Sequence, residues 1–345
     1  MDPVWHELAR RGGATPFQTP GFLDAWYASY GTEATPVIVE VWRGDEPAMM
    51  LPLSLKDGVI AFADAGISDN NAPVIGPAPP SRDEMKALWP AIRRALPHAS
   101  LLRLEKQPET VGGRKNPMLA VGTARPSPLS AHPLSMGESF EDYSRSRTTK
   151  FRKEQERVWR VFTRNEGARF ELVTDQAQAL SILTDMDRLQ AARMSELGID
   201  AQVGDAVYTA HYRHLVQHAL GRDAVLGALI CNGETVGALL GVSGGGTVTF
   251  VRLAHAGGDW STTSPGRLVI EQTLMALHAA GVRRFDFSVG DYAYKENFRI
   301  GHTPLFDAAV PLSFGGKIKA ARINLRAALR QSPLARRLLG KRTDP

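Results

Sequence analysis

Residues 224–254 constrain the fold more than any other stretch of the chain. The run AVLGALICNGETVGALLGVSGGGTVTFVRLA holds three apolar stretches, at about 224–231, 235–243 and 247–254. Asn232-Gly233 separates the first two, and it is the favoured pair for a two-residue hairpin because both central positions need positive φ. The triplet Gly244–Gly246 makes the next reversal. A three-strand antiparallel meander follows from this spacing. Pro265 then suits the first turn of a helix and Gly281 its end, across GRLVIEQTLMALHAA. After it, VRRFDFSV alternates as a strand over 282–289. A meander that feeds one more strand through a crossover helix gives a mixed α/β sheet with a right-handed connection.

Two helices precede the meander. Asp175 caps one that runs to about Leu197, and the second covers roughly Ala206–Leu220, closed by Gly221. The N-terminal half repeats the order more faintly. GFLDAWYASYG reads as a short helix, PVIVEVWR and AMMLPLSL as strands around Gly44-Asp45, and VIAFA as a third strand. SRDEMKALWPAIRRAL reads as a helix broken by Pro90, and SLLRLEK as a strand. Residues 107–137, with Pro108, Pro117, Pro126, Pro128 and Pro133, read as the linker.

At 345 residues the chain has room for two ordinary domains, and 43% hydrophobic with 22% charged residues is a globular balance. The single cysteine, Cys231, excludes an intrachain disulfide and fits a reducing compartment. MDPVWHELARRGG has no apolar run after its charges, so no signal peptide is expected, and no stretch approaches the length of a membrane span. A cytoplasmic location follows from these features. The formal charge of +5 is uneven. Residues 145–164 carry eight Lys/Arg against Glu154 and Glu156, and residues 311–345 carry nine against Asp344. Each basic segment invites an anionic partner.

Four stretches together carry a family resemblance: PFQTPGFLDAWYASYG, SRSRTTKFRKEQERVWR, SPGRLVIEQTLMALHAAGVRRFDFSVGD, and YKENF directly after it. The chain resembles GNAT acyltransferases, and more closely the FemAB-like double-GNAT group that includes CelD-like proteins of cellulose and exopolysaccharide loci. The resemblance implies two GNAT-like α/β domains, with mixed, mostly antiparallel sheets flanked by helices, at 1–125 and 126–312. A basic amphipathic helical tail at 313–345 would follow. It also implies that the strands at 247–254 and 282–289 splay apart around the pantetheine arm of an acyl donor. The pyrophosphate would then lie at the N-terminus of the 265–280 helix, where free N–H groups attract phosphate oxygens. Ser264, Gly266 and Arg267 are the donor-binding candidates, and acetyl-CoA is the expected donor. The usual Gln/Arg-x-x-Gly-x-Gly/Ala loop is absent, and Pro265 removes one donor.

Acyl transfer to an amine needs a base, oxyanion donors and an acid for the leaving group. Asp291 suits a base or a holder of the acceptor amine, or a turn cap. Tyr294 suits the acid and Lys295 the oxyanion, as the lysine of the similar FemAB motif implies. His255, at the end of the third meander strand, is a lesser candidate for the base. Asp286 and Ser288 alternate with Phe285 and Phe287, so they line the cleft or face solvent. On the basic helix, Phe151, Gln155, Val158 and Phe162 form the core face. Arg147, Lys150, Arg152 and Lys153 either grip an anionic acceptor or are a solvated face. His211, His214 and His218 have helical spacing, read as a solvated face and not as a metal site; no metal is expected.

The function implied is N-acyl transfer, acetyl in the first instance, to an amino sugar of a surface polysaccharide or its lipid-linked precursor. An aminoacyl-tRNA-dependent transferase is the second reading, although no known tRNA module or aromatic interleaving is present. A non-catalytic sensor of an anionic ligand, such as a cyclic dinucleotide, is the third. DNA is not an expected partner. In the tail, Ile318, Ala321, Leu325 and Leu329 share one face and Lys319, Arg322, Arg326 and Arg330 the next. Pro333 ends the helix and LARRLLGKR resumes the mix. This pattern fits an anionic membrane surface, peripheral on the inner membrane, or a face packed on the core.

Overall fold

The computed structural model describes residues 3–198 and 205–331. The chain begins with α1 (Pro3–Arg11), α2 (Pro20–Tyr30), β1 (Thr35–Arg43), β2 (Glu46–Lys56), β3 (Val59–Phe62), β4 (Val74–Ile75), α3 (Arg82–Ala95) and β5 (Leu101–Pro108). There follow β6 (Thr110–Val111), β7 (Arg114–Lys115), β8 (Arg125–Ala131), β9 (Pro133–Ser135), α4 (Phe140–Ser146), α5 (Thr149–Phe162), β10 (Arg169–Leu172), α6 (Gln176–Leu197) and α7 (Ala206–Ala219). The last elements are β11 (Ala224–Cys231), β12 (Glu234–Gly244), β13 (Thr247–His255), α8 (Pro265–Ala279), β14 (Arg284–Asp286), β15 (Thr303–Pro311) and α9 (Phe314–Gln331).

The described residues form two units. One comprises 3–18, 31–130 and 304–331, and the other 19–30, 131–198 and 205–303. These are not the linear segments 1–125 and 126–312. Helix α2, early in the sequence, belongs to the second unit, while β15, near the end, pairs antiparallel with β5 in the first. The sequence pattern shows where strands are but not which sheet each joins, so this exchange was invisible to it.

The first unit is built on a sheet of order β1-β2-β3-β5-β15-β8, with β4 on β2. Val37, Val39 and Val41 alternate inward from β1 onto Met49, Leu51 and Leu53 of β2, under Met85 and Ile92 of α3. Helix α3 opens with a capping box between Ser81 and Glu84 and runs through Pro90 without a break. The carbonyl four residues before Pro90 belongs to the exposed Lys86, on the side of the helix open to solvent, and the expected interruption does not occur. Nor is 107–137 a linker. It contributes β8 to the edge of the first sheet and β9 to the edge of the second. Pro126, Pro128 and Pro133 are tolerated because an edge strand has one side free of ladder bonds.

The second unit has the sheet order β10-β11-β12-β13-β14-β9. The β11–β13 meander is antiparallel, and the Asn232-Gly233 turn has φ of 49° and 81° as its type requires. Helix α8 returns the chain so that β14 lies parallel to β13. Phe151, Gln155, Val158 and Phe162 are the buried face of α5, as their spacing dictates. Phe151, Val158 and Phe162 share a core with Leu268 and Leu274 of α8 and with Phe285 and Phe287. The basic segment is two helices, not one, because Thr148 caps α5 through the Phe151 N–H. His211 is fully buried against Phe22 and Tyr212, so the expected solvated histidine face of α7 holds only for His218. Among the described residues no helix is long and apolar enough to cross a membrane.

Candidate active site

The site begins where two strands part. Strands β13 and β14 pair only through Thr247–Thr249 and Arg284–Asp286. Strand β13 continues to His255, but the chain after Asp286 turns away from it. The Phe287 N–H donates to the His132 carbonyl at 2.9 Å, and the Ser288 N–H donates to Asp286 Oδ1 at 2.7 Å with Ser288 at φ 67°. This turn ends β14 at Asp286, short of the expected 282–289. Asp286 is buried and braces the turn. Because the two strands are parallel, the parting opens at their C-terminal ends, on one edge of the sheet. A strand gap of this kind is the seat that the family resemblance assigns to the donor arm.

One side of the opening is the end of β13 and the start of α8. A Cβ built on Gly266 would come within 2.7 Å of the His255 ring, so the bare glycine lets this histidine pack on the helix start. Ser264 sits in the left-handed region at φ 47°, and its Oγ accepts from the Arg267 guanidinium at 2.7 Å. Its carbonyl takes the N–H groups of both Arg267 and Leu268, at 3.0 and 3.1 Å. Pro265 has no N–H. The expected phosphate cradle is therefore sparse: of the four N–H positions that a helix start leaves open, 264–267, Pro265 has none, while those of Ser264 and Arg267 already bond the carbonyls of Ser261 and Ser264. Helix α5 runs beside this corner, where Arg157 pairs with Glu154 at 2.8 Å and reaches the Thr262 carbonyl.

The other side is the loop after β14. The Lys295 ammonium, 1% exposed, donates to the carbonyls of Ser288, Val289 and Gly290 at 3.1, 3.1 and 2.7 Å. Three carbonyls match its three N–H bonds, so Lys295 braces the loop and has no donor left over for an oxyanion. Next to it lies His132, which carries no signal in the sequence because it stands alone in a proline-rich stretch. Its side chain is 1% exposed, and Nε2 lies 3.1 Å from Oδ1 of Asp291, itself 83% exposed. His302 meets the His132 ring edge-on at 4.8 Å. Burial lowers the His132 pKa first, followed by the Lys295 ammonium and His302, while Asp291 opposes them. A neutral imidazole therefore sits beside the carboxylate at ion-pair distance, with Nε2 not aligned for a hydrogen bond to it.

The ligand atoms of His132, Asp291 and His302 lie within 4.8 Å of one another, the spacing of a cation site. The adjacent ammonium opposes a second positive charge there, which favours a positioned carboxylate over a metal centre. Tyr294 is half-buried, and burial followed by its neighbour Tyr292 pushes its pKa above the ordinary phenol value. It holds its proton at neutral pH, as an ordinary phenol does, and the upward shift makes it a weaker acid towards a leaving group.

The basic segment divides into unlike parts. Lys150 and Lys153 are exposed and Arg152 is half-buried. Arg147 is not on the exposed face. It is buried in a two-point ion pair with Glu271 of α8, bonded to Ser144 at 2.9 Å, with its guanidinium 4.8 Å from the Tyr143 ring. It ties the α4–α5 junction to α8 and is not available to an acceptor. A second buried cation, Arg252 on β13, pairs with Asp187 at 2.7 Å and Gln190 at 3.0 Å under the rings of Tyr208 and Tyr212. Its position inside an apolar strand was the only available signal. In the first unit the buried Lys106 is likewise committed, to Asp64 at 2.8 Å.

Residues 149–296 match the family model of the Acetyltransferase (GNAT) domain. The second unit is a GNAT acyltransferase domain. Among solved structures, FemX aligns over 89% of this chain and 96% of its own, with a TM-score of 0.64 at 10% identity. L-PGS from Bacillus licheniformis aligns over 93% and 96%, with a TM-score of 0.54 at 12% identity. A conserved protein of unknown function from Bacteroides thetaiotaomicron aligns over 89% and 95%, with a TM-score of 0.55 at 10% identity. At these identities the likeness is one of fold, and it extends a FemX-like fold of two GNAT-like domains over most of the chain. No curated protein sequence matches the chain.

Proposed function

We propose that the GNAT unit transfers an acyl group, acetyl in the simplest case, from acyl-CoA to an amino group on a sugar of a surface polysaccharide or its lipid-linked precursor. The observation that supports transfer to an amine is the exposed Asp291 carboxylate, set 3.1 Å from the buried His132 Nε2 in the loop that follows β14. In this reading Asp291 binds the acceptor amine and takes its proton as the C–N bond forms. Tyr294 returns a proton to the sulfur as the C–S bond breaks. Lys295 acts through the loop it braces, and His132 acts through Asp291; both are positioning residues. His255, Ser264, Gly266 and Arg267 line the donor corner. Lys150, Arg152 and Lys153 are left to meet an anionic acceptor, such as a pyrophosphate-linked sugar.

A second reading, an aminoacyl-tRNA donor, is favoured by the sparse N–H set at the start of α8. An aminoacyl ester needs no pyrophosphate cradle, and Tyr294 would then protonate a ribose oxygen as a C–O bond breaks. Calorimetric titration with acetyl-CoA separates the two. Micromolar binding followed by acceptor-dependent release of free CoA supports the first. Absence of CoA binding with tRNA binding replaces it by the second. Binding of neither, with tight binding of a small anionic ligand, would remove catalysis from the proposal altogether.

A further inference from the structure

Helix α9 presents an apolar stripe on the side away from its own packing. Phe314, Ile318, Leu325 and Leu329 are 79%, 51%, 61% and 57% exposed. At 100° per residue they fall within an arc of about 60°. The helix packs through the other side. Gly316 and Ala320 are buried, and a Cβ on Gly316 would strike the Ser100 carbonyl. Ile323, half-buried, shares that side. Ala321, expected within the stripe, is exposed and borders it. Soluble folds hide four large apolar side chains in a row unless something covers them.

The charges around the stripe say what covers it. Lys317 borders it on one side and Arg322 and Arg326 on the other. The helix FGGKIKAARINLRAALRQ contains five basic residues and no acidic one. The sequence beyond it adds Arg336, Arg337, Lys341 and Arg342 against Asp344 alone. A second copy of the chain is disfavoured, because a two-fold contact would set the basic borders of the two helices against each other. An apolar centre between cationic borders matches the boundary between acyl chains and anionic headgroups. We propose that α9 docks the protein on the surface of an anionic lipid bilayer, lying in the interface and not crossing it. This inference rests on α9 alone and stands apart from the acyl-transfer reading. The notional end of the helix at Pro333, and LARRLLGKR after it, lie outside the described residues.

The test is sedimentation of the full-length protein with vesicles of phosphatidylcholine, alone or mixed with phosphatidylglycerol, at low and high salt. Binding is expected only to the mixed vesicles, and is expected to weaken with salt. Each basic residue near such a surface contributes roughly fivefold, so Arg322→Gln/Arg326→Gln should weaken binding about 25-fold. Ile318→Gln/Leu325→Gln, which keeps the charge, should weaken it at least ~10-fold through lost apolar burial. All four side chains are exposed, so circular dichroism should show both variants folded. The proposal is overturned if the wild-type protein ignores mixed vesicles at low salt, binds both lipids alike, or binds mixed vesicles as well with either double substitution. It is also overturned if light scattering shows a dimer that the apolar double substitution dissolves, for then a second copy covers the stripe.

Discussion

Replacing Lys295 separates a brace from a direct participant. Its ammonium bridges three carbonyls of the loop that carries Asp291. Hydrogen bonds to a charged group contribute about 1.5–3 kcal/mol each, net of solvation. The three here share one cation, and residues 288–290 are half-buried, so water takes over part of the loss. Lys295→Met should therefore cost about 2–4 kcal/mol of stability. The same loosening misplaces Asp291, and turnover should fall roughly 10²-fold, as for small displacements of a positioned group. Urea denaturation and steady-state kinetics on the same preparation give both numbers. Full stability with lost turnover in Lys295→Met would refute the bracing role. That result would return Lys295 to a direct role at the oxyanion.

Asp291→Asn should lower kcat by about 10²–10⁴-fold with the melting temperature unchanged, since the carboxylate is exposed and the base is lost. Glu271→Ala leaves the Arg147 charge buried without a partner and should cost about 3–5 kcal/mol, whereas Arg147→Met/Glu271→Met should recover much of it; chemical denaturation reads both. Burial lowers the His211 pKa from 6.5 to about 3. A histidine held neutral below its unfolded pKa contributes stability that is fully present above pH 6.5 and lost as pH falls towards 3. The slope over that window should reach about 1.4 kcal/mol per pH unit and disappear in His211→Leu, measured as unfolding free energy against pH.

The local elements were legible because short-range chemistry fixes them. The Asn232-Gly233 turn, the apolar face of α5 and the Asp175 cap, whose carboxylate accepts from the Gln178 N–H at 2.7 Å, each depend on residues a few positions apart. The parting of β13 from β14 was legible through the family resemblance, although not the early end of β14, where the Asp286 carboxylate accepts from the Ser288 N–H. What stayed hidden depends on long separations. Arg147 reads as one more charge on a basic helix until Glu271, far along the chain, is folded against it. His132 stands 159 residues before Asp291, with no motif around it. Lys295 was recognised for its type and place, but its role changed once the three carbonyls were seen around it.

The exchange of α2 and β15 between the units sets the order in which the chain completes itself during synthesis. Strand β5 must wait for β15, whose pairing begins at Leu305 opposite Pro108, so its edge stays open while nearly the whole second unit is made. Such an edge invites pairing with another nascent chain. Cutting the gene between residues 125 and 126 would yield one product without β15 and another without α2. Neither half could finish its own layer, and mixing the two products would have to restore the helix and the strand of the exchange at once.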